Sequence, residues 1–144
     1  MVQSTEILPN GLQLLQDDRF FKLGQDSVLL SAFAKPRRNA KLLDLGCGTG
    51  ALALLVWRPD LKITGLELQD GPLDLFRQSI AANNLENVTA LQGDLRQMRT
   101  LLPHGSMDYV ICNPPYFDRN AGANAPTAEK RTARQDATLS LIHI

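Results

Sequence analysis

The stretch Lys41-Leu42-Leu43-Asp44-Leu45-Gly46-Cys47-Gly48-Thr49-Gly50-Ala51 decides the fold. Its first five residues form a short run of the kind a buried strand shows. Three alternate glycines then break the run, and Ala51 to Trp57 resumes as a helix. A glycine loop between a strand and a helix lets the backbone approach a bound nucleotide closely, because no Cβ stands in the way. Downstream the alternation continues. Leu61 to Leu68 reads as a second strand, and Pro72 to Asn84 as a helix, with Pro72 suited to the first turn and Leu73, Phe76 and Ile80 on one face. Val88 to Gln92 is a third strand, Arg96 to Leu102 a helical turn stopped by Pro103, and Met107 to Cys112 a fourth strand. Strands alternating with helices predict an α/β fold with a parallel sheet, its right-handed crossovers placing helices on both faces.

Upstream, Asn10-Gly11 is a hairpin-type turn followed by a short strand over Leu12 to Gln16, so the chain opens with a small β element. After Gly24-Gln25, Asp26 or Ser27 is expected to cap a helix that runs through Val28, Leu29, Leu30, Ala32 and Phe33 until Pro36 stops it. The expected division is a hairpin and helix over 1–38, a core over 39–118 and a loop over 119–138.

At 144 residues the chain has room for one core, and 44% hydrophobic with 21% charged residues is an ordinary balance for a globular domain. Fifteen basic residues cancel fifteen acidic ones, but the middle of the chain is acid-rich and both ends are mildly basic. An acidic centre suits a cationic cofactor, while Lys35, Arg37, Arg38 and Lys41, and again Lys130, Arg131 and Arg134, can meet a phosphate backbone. Cys47 and Cys112 have neither disulfide-framework nor metal-site spacing, so no metal is expected and a reducing cytoplasm is the simpler compartment. The N-terminus lacks the basic and apolar regions of a signal peptide, and no apolar run approaches the roughly 20 residues that cross a bilayer.

Ligands of parallel sheets bind beyond the carboxyl ends of the strands, and the candidate residues all fall there. Asp44, Gly46, Cys47, Gly48 and Gly50 close the first strand. Gly46, Gly48 and Ala51 also satisfy the G-x-G-x-x-A pattern of dinucleotide sites, so this loop alone leaves two cofactor classes open. Glu67 ends the second strand with a carboxylate able to accept both hydroxyl hydrogens of a ribose. Asp94, after the third strand, can accept from the adenine amino group of a cofactor. Asn113-Pro114-Pro115-Tyr116 follows the fourth strand. Its prolines stiffen the backbone and remove two amide donors, so the Asn113 side-chain oxygen and the Pro114 carbonyl can both accept from a substrate NH2 group. Tyr116, with Phe117, offers a ring on which a flat base can stack, and a dehydrogenase leaves these four residues unexplained.

On these residues the sequence resembles the class I S-adenosylmethionine-dependent methyltransferases with an N-P-P-Y motif, a Rossmann-like family. Within them it is most similar to the bacterial tRNA adenine-N6 methyltransferases acting on valine tRNA. The finer likeness rests on Asn10-Gly11-Leu12 through Gln16, on Phe21-Lys22-Leu23-Gly24-Gln25-Asp26-Ser27-Val28-Leu29-Leu30, and on Asn113 to Phe117. The resemblance implies S-adenosylmethionine as cofactor, methyl transfer to an exocyclic amine and a tRNA substrate; no membrane partner is expected, and the sequence does not encode the oligomeric state, for which a monomer is the default. It assigns Asn113, Pro114, Pro115 and Tyr116 to catalysis. It assigns Asp44, Gly46, Cys47, Gly48, Gly50, Glu67, Asp94 and Asn113 to the cofactor, and adds Gln25 and Asp26 from the upstream block.

The chain departs from the family at Ala133-Arg134-Gln135-Asp136, where A-R-H-E is common, and family members continue through three more strands. Leu139-Ser140-Leu141-Ile142-His143-Ile144 is what one frame of a common transposon sequencing adaptor encodes, which predicts a gene fragment with about four of seven core strands and a foreign tail. Two rival enzymes share the N-P-P-Y residues. Release-factor glutamine methyltransferases carry a different upstream helical domain, and ribosomal RNA guanine-N2 enzymes more often show Phe in the Tyr116 place. An inert fragment is the non-enzyme alternative.

Overall fold

The computed structural model describes residues 3–20 and 22–113. Two strands open the chain, β1 (Gln3–Ile7) and β2 (Gln13–Asp17), paired antiparallel with Ile7 opposite Gln13. Gly11 takes the positive φ of 87° that the turn between them requires. The Asn10 side chain accepts from the Leu12 amide and donates to the Leu54 carbonyl at 2.7 Å, so the turn residue also ties the hairpin to the domain.

Helix α1 spans Gln25–Phe33, and its N-cap is Gly24, without a side-chain capping bond. The expected cap by Asp26 or Ser27 is therefore corrected: both lie inside the first turn, and the Ser27 hydroxyl is engaged elsewhere, as described below. No residue of α1 is buried, and Leu29 and Phe33 are exposed.

The core is a four-stranded parallel sheet built from β3 (Lys41–Leu45), β4 (Lys62–Glu67), β5 (Val88–Gln92) and β6 (Tyr109–Cys112), in the order β5-β4-β3-β6. Helices α2 (Ala51–Leu55) and α3 (Asp70–Ala82) form the crossovers on one face. There Leu42, Ile63, Leu52, Leu54, Leu73, Phe76 and the hairpin residue Leu14 make one buried cluster. On the other face Leu43, Leu45 and Leu66 pack against Leu95, Leu101 and Leu102, from a 3-10 turn (Leu95–Gln97), helix α4 (Met98–Leu101) and its C-cap. Successive residues of β3 thus enter opposite cores, which is why the strand reads as one apolar run rather than an alternation.

The hairpin does not join this sheet. The Gln13 and Leu15 amides donate to Asn83 Oδ1 at 2.8 Å and Ser79 Oγ at 2.9 Å, so two polar side chains of α3 serve β2 as a neighbouring strand would. Helix α3 ends as Asn83 bonds back to the Ser79 carbonyl and Asn84 turns to a φ of 53°, a left-handed conformation that asparagine tolerates. Among the described residues no helix is long and apolar enough to cross a membrane.

Candidate active site

Register brings the carboxyl ends of the strands together. Leu45 is paired with Leu66 on one side and Cys112 on the other, so Gly46, Glu67 and Asn113 leave the sheet next to one another. Glu67 pairs with Gln92, and the Gly93 amide donates to the Glu67 carbonyl at 3.0 Å, which brings Asp94 to the same end. Pro114, Pro115, Tyr116 and Phe117 lie outside the described residues, as do Lys130, Arg131, Arg134 and the 139–144 tail.

The glycines divide into two kinds. Gly46 and Gly48 have φ of 65° and 56°, and a Cβ on either would meet nothing within 4 Å, so both present bare backbone to open space. Gly50 has φ of 90°, and a Cβ there would fall 2.1 Å from Phe76 Cδ1, inside the ring. Gly50 is a packing requirement of the loop, whereas Gly46 and Gly48 form its open rim. Cys47 belongs to neither. Its amide donates to the Leu66 carbonyl at 3.0 Å, and its buried Sγ lies over Gly65 of β4, where a Cβ would be only 2.8 Å away. Burial, reinforced by the charges of Asp44 and Glu67, holds its thiol well above the ordinary range.

Two carboxylates lie beneath the loop. Glu67, 7% exposed, accepts from the Gly48 amide and the Gln69 amide, each at 2.9 Å, one on each oxygen. It thereby holds the loop in place, and each carboxylate oxygen has a second lone pair. Asp44 is 1% exposed, and its Oδ2 is a buried oxygen without a hydrogen-bond partner. Burial first, and the Glu67 charge second, push its carboxyl up to about 8, opposed by the Ala53 amide. An orphaned acceptor beside a second carboxylate, under a rim of bare backbone, fits a ligand rich in donors and positive charge.

Asp94 is placed at the expected end of the sheet but is engaged. It caps the 3-10 turn by accepting from the Arg96 amide at 2.9 Å, and it pairs with the Arg96 guanidinium at 2.5 Å, which lowers its pKa. Asn113 reaches in the other direction: its Nδ2 donates to Ser27 Oγ of α1 at 3.0 Å. This contact joins the upstream block to the fourth strand, and sequence reasoning missed it because it spans 86 positions. Gln25 and Asp26 share that first turn of α1 and are exposed. Among the described residues no cluster of His, Cys, Asp and Glu could hold a metal.

The chain is 34% identical over 125 residues to the tRNA1(Val) (adenine(37)-N6)-methyltransferase of Photobacterium profundum, matching 80% of this chain and 49% of that protein. It is 35% identical over 105 residues to the enzyme of the same name from Pseudoalteromonas translucida, matching 72% of this chain and 44% of that one. The chain thus spans about half the length of the curated relatives it matches. Among solved structures, a 16S rRNA N2 methyltransferase of T. thermophilus in complex with AdoMet and guanosine superposes with a TM-score of 0.67 at 22% identity, covering 83% of this chain and 34% of that one. That likeness establishes the Rossmann-like methyltransferase fold. Residues 24–136 match the family model of the methyltransferase small domain, and with relatives above 30% identity over most of its length the chain belongs to that family.

Proposed function

We propose that this chain is the cofactor-binding half of an S-adenosylmethionine-dependent N-methyltransferase whose acceptor is an adenine N6 in tRNA. The observation that carries the reading is the convergence at one end of the sheet of an open glycine rim, two buried carboxylates and the Asn113 amide. The relatives named above are enzymes of that activity.

The bound cofactor supplies an electrophilic methyl on a sulfonium. The residues present fit such a group, since Glu67 would offer a carboxylate and Asp44 an unpartnered oxygen to a cofactor that carries hydroxyls, an ammonium and a positive sulfur. Gly46 and Gly48 permit close approach, and the Glu67 carboxylate takes ribose hydroxyls. Asp94 enters the set only by releasing Arg96, and Gln25 and Asp26 close it from α1. Asn113 acts on the acceptor. An adenine amine is a poor nucleophile because its lone pair is delocalised into the ring. Acceptance of its N–H hydrogens by Asn113 Oδ1 and the Pro114 carbonyl draws the pair back toward nitrogen as the new bond forms, an interaction stronger in the transition state than in the ground state. Pro115 stiffens that segment and Tyr116 stacks the base. Alignment supplies the rest and can be worth about 7–11 kcal/mol in well-oriented reactions.

On this reading residues 1–138 are the methyltransferase domain, tRNA is the partner, the compartment is the cytoplasm and the working unit a monomer. The test is transfer of labelled methyl from S-adenosylmethionine to total RNA and to total protein, with wild type and Asn113→Ala in parallel. Label in adenine N6 of RNA, lost in the variant, is the expected result. Label in protein glutamine, or in guanine N2, transfers the assignment to those enzymes. No label and no cofactor-dependent rise in melting temperature leaves an inert fragment.

A further inference from the structure

Resting on that reading, the geometry points to Ser27 as a positioning residue for Asn113. The Asn113 amide has two chemically opposite ends, and only the oxygen end can accept from an amine. A half-turn about its last side-chain bond would present N–H donors to the incoming NH2 group, and donor would face donor. Nothing in the strand chooses between the two orientations, because β6 stops at Cys112 and the amide lies beyond the ladder. The bond from Asn113 Nδ2 to Ser27 Oγ at 3.0 Å anchors the side chain with its nitrogen end on α1 and Oδ1 turned away from the helix. Ser27 is free for this because Gly24 occupies the cap position.

Two measurements on the full protein test it. In spectra selectively labelled at asparagine nitrogen, the Asn113 side-chain NH2 pair, identified by its loss in Asn113→Ala, is expected to show two separated, slowly exchanging signals. Ser27→Ala should move the pair to the shifts and solvent-exchange rate of an exposed asparagine amide and Ser27→Thr should restore them, with melting temperatures little changed in both. In methyl transfer to tRNA, Ser27→Ala should lower kcat by roughly five- to tenfold, the rate equivalent of one ordinary hydrogen bond, while KM for S-adenosylmethionine stays within a factor of two. Ser27→Thr should recover most of the loss. An Asn113 amide signal indifferent to Ser27→Ala, or a loss of rate carried by KM or left unrepaired by threonine, overturns the proposal. Wild type that methylates no RNA refutes the functional reading instead, and the amide spectra then decide alone whether Ser27 orients Asn113.

Discussion

The two ends of the sheet use the same residue types in opposite ways. At the amino ends Asp60, Asp108 and Asn87 each have precise partners. Asp60 receives the Arg58 guanidinium at 2.8 and 3.0 Å and the Asn39 amide at 2.8 Å. Asp108 receives the Lys41 amide at 2.9 Å and Arg37 at 3.1 Å. Asn87 accepts from Trp57 Nε1 and donates to the Arg58 and Leu61 carbonyls. The partners hold the carboxyls of Asp60 and Asp108 below their ordinary range, Asp60 chiefly through the Arg58 side chain and Asp108 chiefly through the Lys41 amide. At the carboxyl ends Asp44 is buried with an orphaned oxygen and shifted the other way. A fold gains nothing from an unpaired buried carboxyl, so the contrast in the acidic side chains accords with the proposal that the carboxyl end is kept for a ligand.

Substitutions can break that contrast. Asn113→Ala should lower methyl transfer by at least roughly a hundredfold, the scale of losing one group that stabilises developing charge, without moving the melting temperature. A matching loss of stability would mean that the carboxyl end is structural after all. Asn87→Ala, at the opposite end, should cost about 2–3 kcal/mol in denaturant unfolding, because it leaves the Trp57 N–H and two carbonyls without their partner, and cofactor affinity should be unaltered.

Asp44 sharpens the contrast through pH. Its folded pKa is raised from 3.8 to about 8, so the folded state binds the extra proton between those values, and stability present below pH 3.8 is lost as pH rises toward 8. Thermal melts of Asp44→Asn should therefore lack this decline between pH 4 and 8, and the variant should also lose much of the stabilisation that S-adenosylmethionine gives wild type. The smallest effect belongs to Arg58→Ala. Asp60 has a lowered pKa, so its stabilisation is present above pH 3.8 and fades as pH falls below that value. The modest gap in melting temperature between wild type and variant should close in strong acid, and a gap that persists there would point to lost packing of the arginine stem.

Much of the fold was legible because its strands are buried on both faces and bounded by glycines and polar residues. The strands over 41–45 and 88–92 have the expected bounds. The third-helix pattern was displaced by two residues, since Asp70 and Gly71 form the start of α3 and Asn84 ends it through a left-handed turn that periodicity does not encode. At the site, the order of Asp44, Glu67, Asp94 and Asn113 along strand ends followed from topology. The states of those side chains did not: the capture of Asp94 by Arg96 and of Asn113 by Ser27, and the isolation of Asp44, are set by packing between segments.

The Phe76 ring lies against both Gly50 and Gly65, 2.1 Å and 2.5 Å from where their Cβ atoms would be. One aromatic side chain therefore dictates which residues two distant positions accept, and the dependence is unequal. Gly65 is excluded from substitution by space alone, but the Cys47 Sγ stands 2.8 Å from the same point, so alanine there needs room made at both 76 and 47. Gly50 is also bound by its φ of 90°, and no change at 76 relieves that. Across descendants of this sequence, 65 should drift only together with 76 and 47, while 50 stays glycine.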